Sequence, residues 1–501
     1  MGYLLTFDVG TTSMKCCVFD SSLSVKAKSA VEYSLQTSDS HIVETNPAIY
    51  WEGLCSCIHM IKDQVIDLTE VEACAITTQG ETMVLLGEDG NPFMPAIVWL
   101  DDRGSIQAER LARSHAFADY YRRTGMPEIT GATPLAKLAM LFEDAQTQEN
   151  IWKVMLLEDY LVFKLTGSVV TEHSLVSSTG YYDILKHDYC QDYLEYIGVK
   201  KDLLPEILPC GTVAGYVAEA ASTATNLPRG TAVVVTAMDQ ICSAIGAGNV
   251  RPGVVTETTG TCLTLAATVQ QPTALNNSSI QYYTHYDGNY LAIAYNTTAA
   301  IILKWLKDTF ISQTEDCKAS ALNPYDYMSE LAKNVPAGAE GLMLLPHFAG
   351  KLMPDYAPNV RGCFYGLALN TKQEHFVRAA MEGIAFMLRE NLEALQQAGI
   401  YPKQVRSLGG GAKDHVLSQI KASVNAIEFV TTSEQESTSL GSAMLAAKAL
   451  GWCEDLYALS QQVVKIHGII QPNAEETKVY NSIYPQYLEL DKLLSNYSRH
   501  G

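Results

Sequence analysis

The chain has too little positive charge for a nucleic-acid surface. Thirty-five Lys and Arg stand against 55 Asp and Glu, a net charge of −20 over 501 residues. That balance argues against nucleic-acid partners while leaving room for local basic pockets. No apolar run is long enough to span a membrane, and Asp8 interrupts the first one, so the start does not read as a secretory signal. The twelve cysteines are scattered, and neither Cys16-Cys17 nor Cys55-x-Cys57 has zinc spacing. They read as reduced thiols of a cytoplasmic protein, not as a secreted disulfide framework. G-x-x-x-x-G-K-[ST] is absent, and so is G-x-G-x-x-G, which excludes a P-loop and a dinucleotide fingerprint. His347, His375 and His415 show no ligand spacing and read as structural or surface residues.

What is present is an ordinary globular composition, 47% hydrophobic and 18% charged, in a chain too long for one core. Two domains are expected. The most informative stretch is Leu4–Asp20, an apolar strand ending at Asp8, a Gly10-Thr11-Thr12-Ser13 turn, Lys15, and a returning strand. Such a turn aims backbone N–H groups and hydroxyls at a phosphate, and the adjacent carboxylate suits a water-bridged magnesium ion. An ordinary N-terminal hairpin is the competing reading. The plan repeats at Val254–Leu265, around Thr259-Gly260-Thr261, which suggests two related halves facing one cleft. Between them the apolar run Ala232–Val235 leads to Met238-Asp239-Gln240, a carboxylate just past a strand.

These segments resemble the FGGY family of carbohydrate kinases, within the actin-like ATPase superfamily. Asp8–Lys15 and Thr259-Gly260-Thr261 match the family's two phosphate turns, and Met238-Asp239-Gln240 the segment with its catalytic aspartate. Arg361–Glu382 resembles the longer family signature, with Gly362, Phe364, Gly366, Leu367, His375, Ala379, Ala380 and Glu382 in place. Ser407–Lys413 resembles the adenosine-binding turn. The matches run in order from residue 4 to about 447. The resemblance implies an α/β fold of two actin-like, ribonuclease H-like domains, residues 1–246 and 247–501, with mixed sheets flanked by helices and a cleft between them. It also implies phosphorylation of a sugar or polyol hydroxyl by ATP with Mg2+. Asp239 would be the general base and Asp8 the metal ligand. Gly10, Thr11, Thr12, Lys15, Gly260 and Thr261 would hold phosphates, and Gly410, Gly411 and Ala412 would line the adenosine pocket.

For the sugar, Val71–Thr78 reads as a strand delivering Gln79, Gly80, Glu81 and Thr82 into a loop, although a polar hairpin fits the same residues. Ala96–Gly104 offers Trp99 to stack on a sugar face, with Asp101 and Arg103 for its hydroxyls, as a similar family segment does; a structural Trp beside solvated charges competes. With Asp239 and Gln240 these complete the expected sugar site. Thr133–Asp144 resembles the shorter family signature through Pro134 and Lys137 but has Met140 where the family carries tryptophan. Helices are expected over Asn46–Val65 (with Ile66 on its face), Leu156–Leu165, Thr297–Phe310, Glu374–Ala398 and Leu440–Leu450. Further strands are expected over Val25–Leu35 and Val405–Leu408, with a hairpin about Asp287-Gly288. Gly246 and Gly248 are candidate hinges. Gly350-Lys351-Leu352-Met353-Pro354 departs from the family's P-x-x-x-G-E-R-x-P loop by lacking its acid–arginine pair.

Glycerol kinases in the family carry arginine at the place of Gly80 and tyrosine near Ala132; losing both implies a pocket open to something longer than glycerol. Xylulokinases carry a Met-His pair near Gly80-Glu81, also absent here. A pentulose such as xylulose is the first expectation, with glycerol, erythritol, ribulose and gluconate as alternatives. From another class stands a non-metabolic actin-like ATPase. A homodimer is the assembly the family implies by analogy.

Overall fold

The computed structural model describes residues 2–37, 41–64, 67–273, 275, 279–432 and 436–499. Two large sheets organise them, and they share one plan. The first is six-stranded. Tyr3–Val9, Ser13–Phe19 and Val25–Glu32 form an antiparallel meander. Tyr3–Val9 then pairs in parallel with Val71–Thr78, which pairs in parallel with Ala232–Val235, and Thr212–Tyr216 closes the edge antiparallel. The second sheet repeats that order with Val254–Thr259, Leu263–Val269 and Tyr290–Asn296 as the meander. Gln404–Leu408 and Phe429–Thr432 are its parallel strands and Ile466–Ile470 its antiparallel edge. Gln281–Thr284 adds a seventh strand beyond the meander.

The parallel strands are apolar on both faces because helices cover both. Val71–Thr78 is buried from its third residue onward, and Ala232–Val235 throughout. Ala48–Lys62 lies against the first meander, and the 25-residue helix Gln373–Gln397 fills the corresponding place in the second half. The helix expected over Asn46–Val65 therefore ends at Lys62; Val65 and Ile66 fall outside the described residues. The helix expected over Thr297–Phe310 begins at Ala300, and its end widens into a π-helical turn, Lys307–Ile311. A smaller sheet of Gln36–Thr37, Val43–Thr45, Ala96–Ile97, Met83–Leu86 and Lys153–Leu156 carries the loops around Glu81 and Trp99.

The halves meet through two helices that follow corresponding strands, Asp239–Gly246 and Ser437–Ala449. Their crossing is a glycine contact. A β-carbon on Gly246 would lie 1.8 Å from the Ser437 carbonyl oxygen, and one on Gly441 1.9 Å from that of Cys242. Gly246 thus serves close helix packing, in place of the hinge role expected of it; Gly248, at φ +76°, makes the turn that follows.

Candidate active site

The strand Tyr3–Val9 delivers Asp8 to the cleft at its C-terminal end, and the hairpin closes with Gly10 N donating to Ser13 O at 2.9 Å. Thr12 and Lys15 are exposed on the turn, and the Tyr33 hydroxyl donates to Gly10 O at 2.5 Å, bracing it from behind. Thr11 Oγ1 faces the other way, donating to Gln79 Oε1 at 2.7 Å and accepting from Trp99 Nε1 at 2.9 Å. Lys15 Nζ reaches across the cleft to Glu436 Oε2 at 3.2 Å. Asp8 is half-buried; burial pushes its carboxyl up to about 6, opposed by Lys15 and reinforced by Glu436.

Asp239 opens its helix just past Ala232–Val235, with Gln240 N donating to its Oδ1 at 2.6 Å. Burial pushes its carboxyl up to about 7, and the charges of Asp8 and Glu81 push the same way. Asp8 and Glu81 thus lie near enough to Asp239 for their charges to act on it. Glu81 holds a left-handed backbone, φ 66°, which a glutamate adopts only under constraint from its surroundings. Burial raises it to about 7, while the buried Lys137 ammonium pulls it back. Lys137 itself is driven down to about 8 by burial, and donates to Val98 O at 3.1 Å.

The remaining sugar-site candidates divide. Gln79 is committed to the wall, its amide spent on Thr11 and on Thr82 Oγ1 at 3.1 Å. Asp101 is fully buried and accepts from Val43 N at 2.7 Å and from Arg103 Nη2 at 2.7 Å; Arg103 Nη2 also reaches Glu44 Oε1 at 2.6 Å. This pair braces the loop that presents Trp99, with both Asp101 oxygens and the Arg103 Nε and Nη2 groups already used. Gly80 has its side-chain direction filled, since a β-carbon there would lie 2.9 Å from Met238 Sδ and 3.0 Å from Ser178 Oγ. The room expected from losing an arginine at Gly80 is therefore taken by those two residues.

In the second half, Gly260 and Thr261 turn between Val254–Thr259 and Leu263–Val269, with Gly260 N donating to Cys262 O at 2.9 Å. Gly409, at φ +71°, breaks the strand Gln404–Leu408, and the 3₁₀ turn Gly410–Lys413 follows with no buried residue. Gly411 packs on the Thr259-Gly260-Thr261 turn: a β-carbon would stand 2.6 Å from Thr259 O. Beneath both lies Glu257, wholly buried, accepting from Lys421 Nζ at 2.8 Å and Ser407 Oγ at 2.7 Å. Neither Glu257 nor Lys421 stands in a sequence signature, since only the fold brings them together.

Tyr283 also escapes sequence reading. It comes from the seventh strand of the second sheet, yet Glu81 and Asp239 both act on its phenol, which burial holds well above the usual tyrosine range. The strand is tied to the first half by Tyr282 N donating to Gly125 O at 2.9 Å and the Tyr121 hydroxyl donating to Ile280 O at 2.7 Å. Lys351, in the departing loop, is buried between Glu390 Oε1 at 2.7 Å and Asp491 Oδ2 at 2.6 Å; His347 Nε2 lies 2.6 Å from Asp491 Oδ1. That loop forms an internal ion network.

The comparisons with known proteins bear on the family and the fold. The N-terminal domain of the FGGY family of carbohydrate kinases matches residues 3–246 and its C-terminal domain residues 255–450. A gluconokinase of Bacillus subtilis is 26% identical over 99% of this chain and 96% of its own. A xylulose kinase of Staphylococcus xylosus is 27% identical over 97% of this chain and 99% of its own. Among solved structures, ligand-bound xylulose kinase from Lactobacillus acidophilus superposes with a TM-score of 0.90 at 25% identity, covering 99% of both chains. Plasmodium falciparum glycerol kinase with ADP shares the fold, with a TM-score of 0.87 at 21% identity and 98% of both chains covered. With the two domain models accounting for most of its length, the chain belongs to the FGGY family of carbohydrate kinases.

Proposed function

We propose that this carbohydrate kinase transfers the γ-phosphoryl group of ATP to a hydroxyl of a small sugar or polyol, with Asp239 as general base. The observation that carries the reading is the half-buried Asp239 carboxyl at the start of its helix just past a strand, acted on by the charge of Asp8 and raised to about 7, the range a base needs at neutral pH. Phosphoryl transfer requires the acceptor hydroxyl aligned and deprotonated while charge on the phosphates is neutralised. In this reading Asp239 takes the hydroxyl proton, and Glu81, Trp99 and Gln240 orient the acceptor. Gly10, Thr12, Lys15, Gly260 and Thr261 bind the phosphates, Thr11 shapes the first turn from behind, and Gly410, Gly411 and Ala412 carry the adenosine. Residues 1–246 and 247–501 act as the two closing bodies, excluding water.

The donor chemistry at Asp8 fits magnesium, a hard cation that takes carboxylate oxygen plus phosphate oxygens and water. No group of three or more His, Cys, Asp or Glu side chains gathers as a metal cage among the described residues, and in this reading Asp8 would hold the ion together with phosphate oxygens and water. When bound, the ion supplies positive charge at the transferring phosphoryl group.

A pentulose such as xylulose is the first acceptor we assign, supported by the xylulose kinase relatives. All twelve cysteines are free and no helix among the described residues is long and apolar enough to cross a membrane. We assign a cytoplasmic location and a homodimer, without nucleic-acid partners, as parts of the same proposal. The test is phosphorylated-sugar formation with ATP and Mg2+ across pentuloses, hexuloses, polyols and gluconate, alongside Asp239→Asn. Product with one acceptor class, and a loss of roughly 10²–10⁴-fold in the variant with ATP binding retained, is expected. Wild-type turnover by the variant refutes the base assignment, and steady acceptor-independent ATP hydrolysis refutes the kinase reading.

A further inference from the structure

Three residues, Thr236-Ala237-Met238, join the strand Ala232–Val235 to the helix that Asp239 opens, and their backbone sets where that carboxyl points. Each is tied by a side chain from elsewhere in the first half. Glu158 Oε1 accepts from Thr236 N at 3.1 Å, Thr77 Oγ1 donates to Ala237 O at 2.6 Å, and Ser174 Oγ accepts from Met238 N at 2.9 Å. Glu158, Thr77 and Ser174 are all wholly buried. A buried amide without an acceptor is costly, so these bonds hold the turn in one shape. Of the three, Ser174 acts on the residue directly before Asp239.

The hydroxyl of Ser174 has its own direction fixed. Its proton goes to Glu172 Oε1 at 2.7 Å, which turns a lone pair toward Met238 N. Glu172 is wholly buried and also accepts from Ser174 N at 2.6 Å, from Leu175 N, and from Cys210 Sγ at 2.8 Å. Four donors, none of them a cation, satisfy this carboxylate and hold it in one orientation. The line from Met238 N through Ser174 Oγ to Glu172 thus ends on a fixed acceptor, and each bond polarises the next. The same short segment reaches two neighbours. Ser178 Oγ stands 3.0 Å from where a β-carbon on Gly80 would be, and Ser177 Oγ accepts from Thr284 N at 3.3 Å. Residues 172–178 therefore set the residue before Asp239 against the Gly80-Glu81 loop and against the seventh strand of the second sheet.

Resting on the reading of Asp239 as the base, we propose that Ser174 is a positioning residue for phosphoryl transfer, its hydroxyl oriented by Glu172 and holding the Met238 amide. Wholly buried, Ser174 reaches no ligand in the cleft, and it acts only through the placement of Asp239. Its loss lets the turn shift and carries the carboxyl off the line of the acceptor hydroxyl. A misplacement of about 1 Å at a reacting group costs about a hundredfold in rate, which sets the scale of the effect. Nucleotide binding depends on other segments and stays as it is.

The test is a double-mutant cycle on the whole enzyme with ATP, Mg2+ and xylulose, or the acceptor of the panel above that gives product in its place. Ser174→Ala should lower kcat by about ten- to a hundredfold and leave KM for ATP unchanged. In the Asp239→Asn background the same substitution should cost less than about twofold, because the group it positions is gone. Thr225→Val removes another wholly buried hydroxyl, one that donates to Ala221 O at 2.7 Å within the helix Glu219–Thr225, and should keep the parent kcat. Ser174→Cys, a poorer acceptor of similar shape, is read in place of Ser174→Ala if the alanine variant does not fold, with a smaller loss expected. Parent kcat in the variant read, equal losses in the two backgrounds, or a matching loss in Thr225→Val overturns the positioning role while the base assignment stands. Parent turnover by Asp239→Asn overturns the base assignment and this inference with it.

Discussion

Asp239 and Asp8 are two half-buried carboxylates, and the charge of Asp8 raises the cost of ionising Asp239. Asp239 is pushed up to about 7, first by burial and next by Asp8, with Glu81 contributing less. A base must be ionised to act, so kcat/KM should climb with pH through about 7 and level off above it. Removing a neighbouring negative charge favours the ionised form and moves that limb to lower pH. Asp8→Asn should therefore shift the limb downward by up to about one unit, equivalent to about 1.4 kcal/mol, and Glu81→Gln by less. The position of the limb is the readout, because Asp8→Asn should also lose rate through the place at the phosphates proposed for it. A limb that stays put in both variants assigns the acid limb to another group. Asp8, Asp239 and the Gly10 and Gly260 turns were legible in the sequence because strand, glycine and carboxylate are adjacent along the chain. Tyr283, Glu257 and Lys421 were not, since each reaches its place only through sheet pairing or helix packing. The spent state of Asp101 and Arg103 was equally hidden, because their partners Val43 and Glu44 lie some distance upstream and carry no signature of their own.

Among the elements, the crossing of Asp239–Gly246 with Ser437–Ala449 determines how Asp239, the proposed base, is held. These helices approach so closely that Gly246 and Gly441 meet the opposite backbone directly. The contact fixes the helix whose first residue is Asp239, so helix packing and chemistry are coupled over two turns. Gly441→Val places branched carbons where the Cys242 carbonyl stands, and neither backbone can yield without moving its helix. The expected cost is about 3 kcal/mol or more in a denaturant titration, with Gly441→Ala milder and the exposed Gly451→Ala near neutral or strained only by its left-handed backbone. Equal midpoints for Gly441→Val and the parent chain would show that the helices can separate freely. Strand and helix types were readable from periodicity, as Val71–Thr78, Ala232–Val235 and Gln373–Gln397 show. Their ends were less so. The strand expected to run to Leu35 stops at Glu32, and the widened turn Lys307–Ile311 has no sequence marker. The hinge expected at Gly246 failed for a physical reason: glycine signals a missing side chain, and a backbone contact needs that as much as a flexible joint does.

At the scale of the molecule, the duplicated sheet plan explains why two glycine turns face each other across one cleft. The repeat was visible in the sequence; the way the halves are joined was not. One continuous apolar cluster runs from Leu4 and Phe19 through Met238 and Ile241 to Val255, Leu265 and Leu440. A second cluster, with Leu5, Phe7, Tyr50 and Leu161, is confined to the first half. Large chains of two domains commonly unfold in steps. Here the shared cluster and the glycine crossing oppose that separation, because freeing one half exposes apolar surface of the other. Calorimetry should therefore show one main transition, and ATP–Mg2+ at a hundred times its Kd should stabilise it by about 2.7 kcal/mol, since in the proposed reading the nucleotide binds only the assembled cleft. Gly441→Val should broaden or split the transition, as it attacks the joint and leaves each sheet intact. Two well-separated transitions in the parent chain, with only the later one moved by nucleotide, would mean that the second half binds ATP unaided and that the shared cluster does not join the halves.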